Sequence, residues 1–406
     1  MKPTKALRGA SLLGPAIVAG VAYLDPGNVA TNLSAGAGYG FLLTWVIVLA
    51  TLTAWLVQYL SAKLGLVTGR TVPELLGERL GSKSKRVLFW LQAQVVAIAT
   101  DVAEVIGGAI ALNLLFDLPL LLGGLITGAI SMALLAVQSR GWLRVFEVVI
   151  LGLILVTGVG FFAALVIAPP SGSAIAAGLV PLFGDSGSIV LAAGMVGATI
   201  MPHAIYAHSA LSRDRFKHFL NTDNLARLIR ATKWDVSIAM VIAGSINLAI
   251  LFMAATSLFG VEMQNSIYTA YLALNADLGH TVAVLFAFGL LASGLASTSV
   301  GTYAGGVITS GLMGQKLPPM LLRGLTLIPA LAVIALASDA TSALVYSQVL
   351  LSFGIPFALF PLVRLTSDAR LMGSNANGSV TRLLGYAVAG VISALNVWVI
   401  ATAFFG

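Results

Sequence analysis

Read for hydrophobicity alone, the chain is a succession of long apolar runs separated by short polar ones. A helix that crosses a bilayer needs about 20 mostly apolar residues. Eleven stretches meet that requirement: 9–37, 41–62, 87–115, 118–138, 145–168, 187–211, 234–258, 279–312, 320–338, 342–364 and 383–405. The first and sixth are interrupted near their centres by polar and helix-breaking residues. The eighth is long for one crossing and is expected to tilt or to project beyond the bilayer. The pattern predicts an all-α polytopic membrane protein of eleven transmembrane helices.

Composition removes the soluble alternatives. Only 9% of the 406 residues are charged and 58% are hydrophobic, against roughly a quarter charged in soluble proteins. A net charge of +7 would in a soluble protein point toward nucleic acid, but the placement of the basic residues gives another reading. Lys and Arg are retained on the cytoplasmic side of membrane proteins. With the N-terminus inside, alternate connections hold Lys2, Lys5 and Arg8; Lys63, Arg70, Arg79, Lys83, Lys85 and Arg86; Arg140 and Arg144; Arg213, Arg215, Lys217, Arg227, Arg230 and Lys233; Lys316 and Arg323; and Arg364, Arg370 and Arg382, which together are all 22 in the chain. The outer loops near 38–40, 116–117, 169–186, 259–278 and 339–341 hold none. The census predicts a cytoplasmic N-terminus, an external C-terminus and no nucleic-acid partner. The chain has no cysteine, which excludes disulfides and thiolate metal sites. The basic Met1–Arg8 followed by an apolar run resembles a signal peptide, yet Asp25-Pro26 interrupts the run and further spans follow, so it reads as a retained first helix.

The two interruptions carry the chemistry. Asp25-Pro26-Gly27-Asn28 lies in the first stretch and Gly197-Ala198-Thr199-Ile200-Met201-Pro202-His203 in the sixth. Proline removes a backbone donor and glycine tolerates unusual dihedrals. The carbonyls that such a break frees cannot be satisfied by lipid, so it persists only where it lines a protein cavity. A kink alone does not call for a carboxylate, and Asp at the bilayer centre costs on the order of 3 kcal/mol. By the charge census the first stretch runs outward and the sixth inward, each opening a group of five. Two such opposed groups form an inverted repeat with a midplane site. The arrangement resembles the LeuT architecture, divided as 1–168 (spans 1–5), an external loop 169–186, 187–364 (spans 6–10), and 365–406 with a cytoplasmic loop and an appended eleventh helix. Between the breaks lie the Asp25 carboxylate, the Asn28 amide oxygen, the Met201 thioether and freed carbonyls of Ala22 and Ala198. Hard oxygens with one soft sulfur and one formal negative charge suit a transition-metal cation better than Ca²⁺ or Mg²⁺. Gly36-Ala37-Gly38-Tyr39-Gly40 lacks the context of a nucleotide loop and reads as a tight turn.

Asp-Pro-Gly-Asn in the first span and Met-Pro-His in the sixth resemble the Nramp family of proton-coupled divalent metal transporters, and the similarity extends over essentially the whole chain. The resemblance implies coordination of Mn²⁺ or Fe²⁺ by Asp25, Asn28 and Met201, with the Ala22 and Ala198 carbonyls assisting, and places Gln348 near the metal. It implies a multi-pass protein of the plasma membrane, a bacterial inner membrane, working as a monomer without a cofactor, with protons and metal ions as its cargo. Methionine at 201 argues against Mg²⁺, because the family's magnesium-transporting relatives lack it.

Thr100-Asp101-Val102-Ala103-Glu104 puts two carboxylates on one helical face, and intramembrane acids mark proton relays. His203 follows Pro202 and has an ordinary pKa suited to switching. The resemblance implies a path from Asp25 through Glu104 to Asp101, with His203 adjacent and Arg323 beyond, the single arginine in Leu321-Leu322-Arg323-Gly324 where relatives commonly show two. His208 is expected to line the cytoplasmic side, Asn247 to be a structural hydrogen bonder or, as the alternative, to face the cavity, Glu147 and Asp235 to pair with Arg144 or Lys233, and His218 and His280 to sit in loops or at the interface. One competing reading is a sodium-coupled symporter using Ser297-Thr298-Ser299, which the charge of Asp25 opposes. A channel would not explain two opposed breaks, and no catalytic set supports an enzyme.

Overall fold

The computed structural model describes residues 14–139, 143–217, 224–261, 266–315, 317–336 and 340–405. Met1–Arg8, Arg140, His218 and Lys316 lie outside these residues, as does the Arg144 side chain. Every described element is helical. In chain order they are α1 (Pro15–Gly20), a 3₁₀ turn (Val21–Leu24), α2 (Pro26–Tyr39), α3 (Thr44–Thr68), α4 (Val72–Arg79), α5 (Lys83–Phe116), α6 (Leu120–Ser139), α7 (Leu143–Ile167), α8 (Gly172–Gly178), α9 (Ser186–Thr199), α10 (Pro202–Phe216), α11 (Leu225–Ser257), α12 (Ser266–Asp277), α13 (His280–Met313), α14 (Pro319–Leu336), α15 (Ala340–Thr366), α16 (Ala369–Met372) with a following 3₁₀ turn, and α17 (Ser379–Phe405).

Each of the eleven apolar stretches is helical where it is described, and the first and sixth are each split in two. Among the described residues eight helices, with α9 and α10 taken as one, are long and apolar enough to cross a membrane. Pro15–Leu24, Leu120–Ala136 and Met320–Leu336 are shorter apolar helices. At 34 residues, α13 spans about 51 Å at 1.5 Å per residue, well beyond a 30 Å hydrocarbon core. Leu52, Leu88, Val166 and Leu336 are among many large apolar side chains left exposed, which a membrane would cover.

Polar connections bring helices that the hydrophobic pattern alone does not reveal. Thr71 and Glu74 close a capping box on α4, and Asp185 with Ser188 does the same at the start of α9. Each pair satisfies backbone donors that the first helical turn leaves free. Tyr39 also donates to Asp185 Oδ1 at 2.6 Å, joining the end of α2 to the start of α9 and holding that carboxyl below its usual range.

Two expectations change here. Gly36–Tyr39 is the last turn of α2, and the chain reverses only at Gly40, which has φ 57°. Gly36 is needed for close packing: a Cβ there would lie 2.5 Å from the Leu251 carbonyl of α11. Asp235 accepts the backbone N–H groups of Gly14 and Ala16 at the start of α1, at 3.1 and 2.9 Å. Glu147 pairs with Arg215 at 3.3 Å, while Lys233 lies 5.8 Å from the centre of the Trp55 ring. Asp235 therefore ties down the start of helix α1 and Glu147 reaches α10; the expected partner Arg144 has its side chain outside the described residues.

Candidate functional site

At the first break, α1 tightens into a 3₁₀ turn, Asp25 adopts an extended conformation, and α2 restarts at Pro26. Proline suits that first helical position, where its missing N–H costs nothing. Asp25 is the N-cap: its Oδ1 accepts the Asn28 N–H at 2.9 Å. Its Oδ2 accepts from Gln348 Nε2 of α15 at 3.0 Å. The frayed carbonyls find side chains. Tyr23 O accepts from Asn28 Nδ2 and, at 3.1 Å, from Asn247 Nδ2, and Leu24 O accepts from the Ser293 hydroxyl. Asn28 Oδ1 in turn accepts from Asn32 at 2.8 Å.

At the second break, Ile200 leaves the helical region (φ −115°, ψ 60°), Met201 is extended, and α10 begins at Pro202. Met201 caps α10 without any side-chain hydrogen bond. Its thioether is fully buried in the same apolar core as Ala22, Tyr23 and Leu24.

Helix α15 joins the two breaks. A Cβ at Gly27 would fall 1.8 Å from Gln348 Nε2, and one at Gly197 would fall 2.1 Å from the Gln348 carbonyl. Glycine at both positions is thus a condition for Gln348 to sit between them. Helices α2 and α9 also touch directly, since a Cβ at Gly194 would meet Thr31 Cγ2 at 3.2 Å. Asp25, Asn28, Met201, Ala22, Ala198 and Gln348 are all fully buried. Among the described residues no group of three or more His, Asp or Glu side chains could hold a metal. Any cation site here is therefore of the mixed kind, one carboxylate with amides, carbonyls and sulfur.

The α5 acids lie close by. Asp101 and Glu104 are buried on one face, and a Cβ at Gly301 would sit 3.3 Å from Glu104 Oε2 and 3.5 Å from Asp101 Oδ1. Arg323 forms an ion pair with Asp101 at 2.9 Å and donates to Ser131 at 2.8 Å. Arg323 is fully buried and serves an acid inside the fold. Among the described residues neither oxygen of Glu104 has a hydrogen-bond partner. His203 Nδ1 lies 3.3 Å from Thr100 Oγ1.

His208 reaches back toward the first break. It is fully buried and hydrogen-bonds Gln58 at 2.7 Å, and Gln58 donates to the Tyr23 hydroxyl. This chain of contacts ties α10 to the first break. Asn32, Ser293, Gln58 and Tyr23 carry no sequence signal of their own; only the position of Asn32 one turn beyond Asn28 hints at a contact. Asn247 donates to Tyr23 O, while among the described residues its Oδ1 has no partner. His280 is exposed and lies 3.3 Å from Asn275.

Comparison with known proteins gives one consistent answer. The divalent metal cation transporter MntH of Mycobacterium tuberculosis is 54% identical over 96% of this chain and 91% of its own length. That of Bacillus subtilis is 43% identical over 97% and 92%. The crystal structure of an Eremococcus coleocola manganese transporter, in complex with an aromatic bis-isothiourea compound, superposes with a TM-score of 0.86 at 31% identity, covering 98% of this chain and 90% of that one. Mhp1, a nucleobase-cation-symport-1 family transporter, matches with a TM-score of 0.55 at 12% identity over 95% and 89%, a likeness of fold alone. The Nramp family model, described as natural resistance-associated macrophage protein-like, matches residues 16–402. The pattern thus runs from ahead of the first break into the last helix, and the chain belongs to the Nramp family.

Proposed function

We propose that this protein imports divalent transition-metal ions, Mn²⁺ and Fe²⁺ with Cd²⁺ as a further substrate, by alternating access coupled to proton movement. The observation that carries the reading is Asp25, a single buried carboxylate at a helix break, held by Asn28 N–H and by Gln348. It is supported by relatives named divalent metal cation transporters. In this reading all eleven apolar stretches cross a plasma membrane, and 1–168 and 187–364 form opposed repeats of the LeuT kind. The loop 169–186 is external, 365–406 adds a cytoplasmic loop and span eleven, and the N-terminus is cytoplasmic. The working unit is a monomer.

Ligand exchange follows from the contacts. A cation approaching Asp25 repels the Gln348 NH₂ group and attracts Oε1, which among the described residues has no hydrogen-bond partner. A half-turn of the amide converts a donor into a ligand without moving the backbone. Asn28 offers Oδ1 from a side chain already oriented by Tyr23 and Asn32. Met201 adds a soft donor that Mn²⁺, Fe²⁺ and Cd²⁺ accept more readily than Ca²⁺ or Mg²⁺ do. The carbonyls of Ala22 and Ala198 contribute in different states. The proton that Asp25 loses passes to Glu104, a buried carboxyl with no hydrogen-bond partner among the described residues, and on to Asp101, whose charge Arg323 balances. His203 flanks this route.

The test is uptake into proteoliposomes carrying a metal-sensitive dye and a pH dye. The expected result is Mn²⁺ and Cd²⁺ entry accompanied by acidification of the lumen. Entry that needs Na⁺ and ignores the pH gradient would overturn the proposal in favour of a sodium-coupled symporter.

A further inference from the structure

Helix α15 contains a proline at 356. In an unbroken α-helix the residue at 356 would donate its N–H to the Ser352 carbonyl; proline has none to give. Inside a membrane such a carbonyl has no water to turn to, and leaving it unpaired is costly. Its partner comes from the last helix: Asn396 Nδ2 of α17 donates to Ser352 O at 2.8 Å, and the Ser352 hydroxyl lies 2.7 Å from Asn396 Oδ1. Both residues are buried, Asn396 at 4% exposure and Ser352 at 0%. Asn396 is therefore a polar side chain facing inward from a helix whose Val391, Val397 and Ile400 are exposed.

The joint lies one turn from Gln348. A Cβ at Gly197 would meet both the Gln348 carbonyl at 2.1 Å and the Ser352 N at 2.9 Å, so the turn Gln348–Ser352 is the surface on which the end of α9 rests. The same turn sends the Gln348 amide to Asp25. We infer that Asn396 is a positioning residue for the metal centre: by capping the carbonyl that Pro356 orphans, it fixes the turn of α15 that carries Gln348 and abuts Gly197. The eleventh helix is on this view a working part of the site and no mere appendage. The inference deepens the proposed function and rests on it for the identity of the cargo.

The experiment is a cycle of Asn396→Val, Gln348→Ala and the double variant, read as KM and maximal rate for Mn²⁺ in proteoliposomes. Asn396→Val should raise KM about fivefold, the order expected for one displaced neutral hydrogen bond, with little change in maximal rate. In the Gln348→Ala background it should add nothing. An unchanged KM, or factors that multiply independently, would overturn the inference. If Asn396→Val does not fold, Asn396→Val with Pro356→Ala supplies the missing donor from the backbone. Recovery of folded protein then supports the capping role, and failure to recover overturns it. Should the wild type carry no divalent metal, the proposed function falls. The joint is then read through a cysteine placed at 348 in this otherwise cysteine-free chain: its thiol-labelling rate should change in Asn396→Val, and an equal rate would sink the inference.

Discussion

The two helix breaks look alike in sequence and differ in construction. At the first, side chains answer the freed backbone groups on both sides: Asp25 caps α2, Asn28 and Asn247 meet Tyr23 O, and Ser293 meets Leu24 O. At the second, Met201 begins α10 with no side-chain cap and lies in apolar surroundings. A hydrogen-bonded break is rigid and holds hard oxygen donors in fixed directions. A break whose cap residue makes no side-chain hydrogen bond presents a soft sulfur with less restraint. Under the proposed function the first break would supply binding strength and the second discrimination, and substitutions can separate the two.

The largest effect is expected at the first break. Asp25→Asn removes its only formal charge and should abolish metal uptake; retained transport of Mn²⁺ would refute the proposed site. Met201→Ala should act on selectivity while leaving part of the Mn²⁺ transport. Cd²⁺ uptake should fall about tenfold and Ca²⁺ or Mg²⁺ should begin to enter, because an all-oxygen shell suits those ions. Equal ion preference in mutant and wild type would remove the sulfur from the argument. Glu104→Gln should lower the acidification per metal carried, and an unaltered proton signal would exclude Glu104 from the relay.

Smaller changes test the rigidity of the first break and the surface beyond it. Ser293→Ala unpairs the Leu24 carbonyl and should cost about 1 kcal/mol of thermal stability; the equivalent loss of a side-chain hydroxyl is not available at Met201, which has none. Least of all is Arg79→Ala, which breaks the exposed pair with Asp368. The Arg79 contact holds the Asp368 carboxyl below its usual range. A depressed folded pKa stabilises above the unfolded value and the benefit fades as pH falls through the folded value. The melting difference between Arg79→Ala and wild type should therefore be small at neutral pH and vanish in acid.

Much of the framework is legible in the chain because lipid imposes a simple rule. Helices must be long and apolar, and a break or a buried acid is conspicuous against that background. The positions of both breaks, the α5 acids and Gln348 could be read in this way, Gln348 with help from the family resemblance. The polar residues that hold the first break together could not. Ser293, Asn32, Gln58 and Asn396 are single polar residues on apolar helices, and a lone Ser or Asn there reads equally as packing. Asp235 misled for a related reason: charge near a helix end looks local, whereas its partners are backbone groups at the start of α1, distant in sequence.

The sequence by itself determined where helices run, where two of them break and which donor atoms stand at the breaks, because spacing, proline and charge act locally along the chain. The tertiary structure alone decided that α15 bridges the breaks, that Arg323 neutralises Asp101 inside the fold, and that α17 closes the carbonyl left by Pro356. Those outcomes depend on glycine contacts and on hydrogen bonds between residues far apart in the chain, and a one-dimensional pattern does not contain such distances.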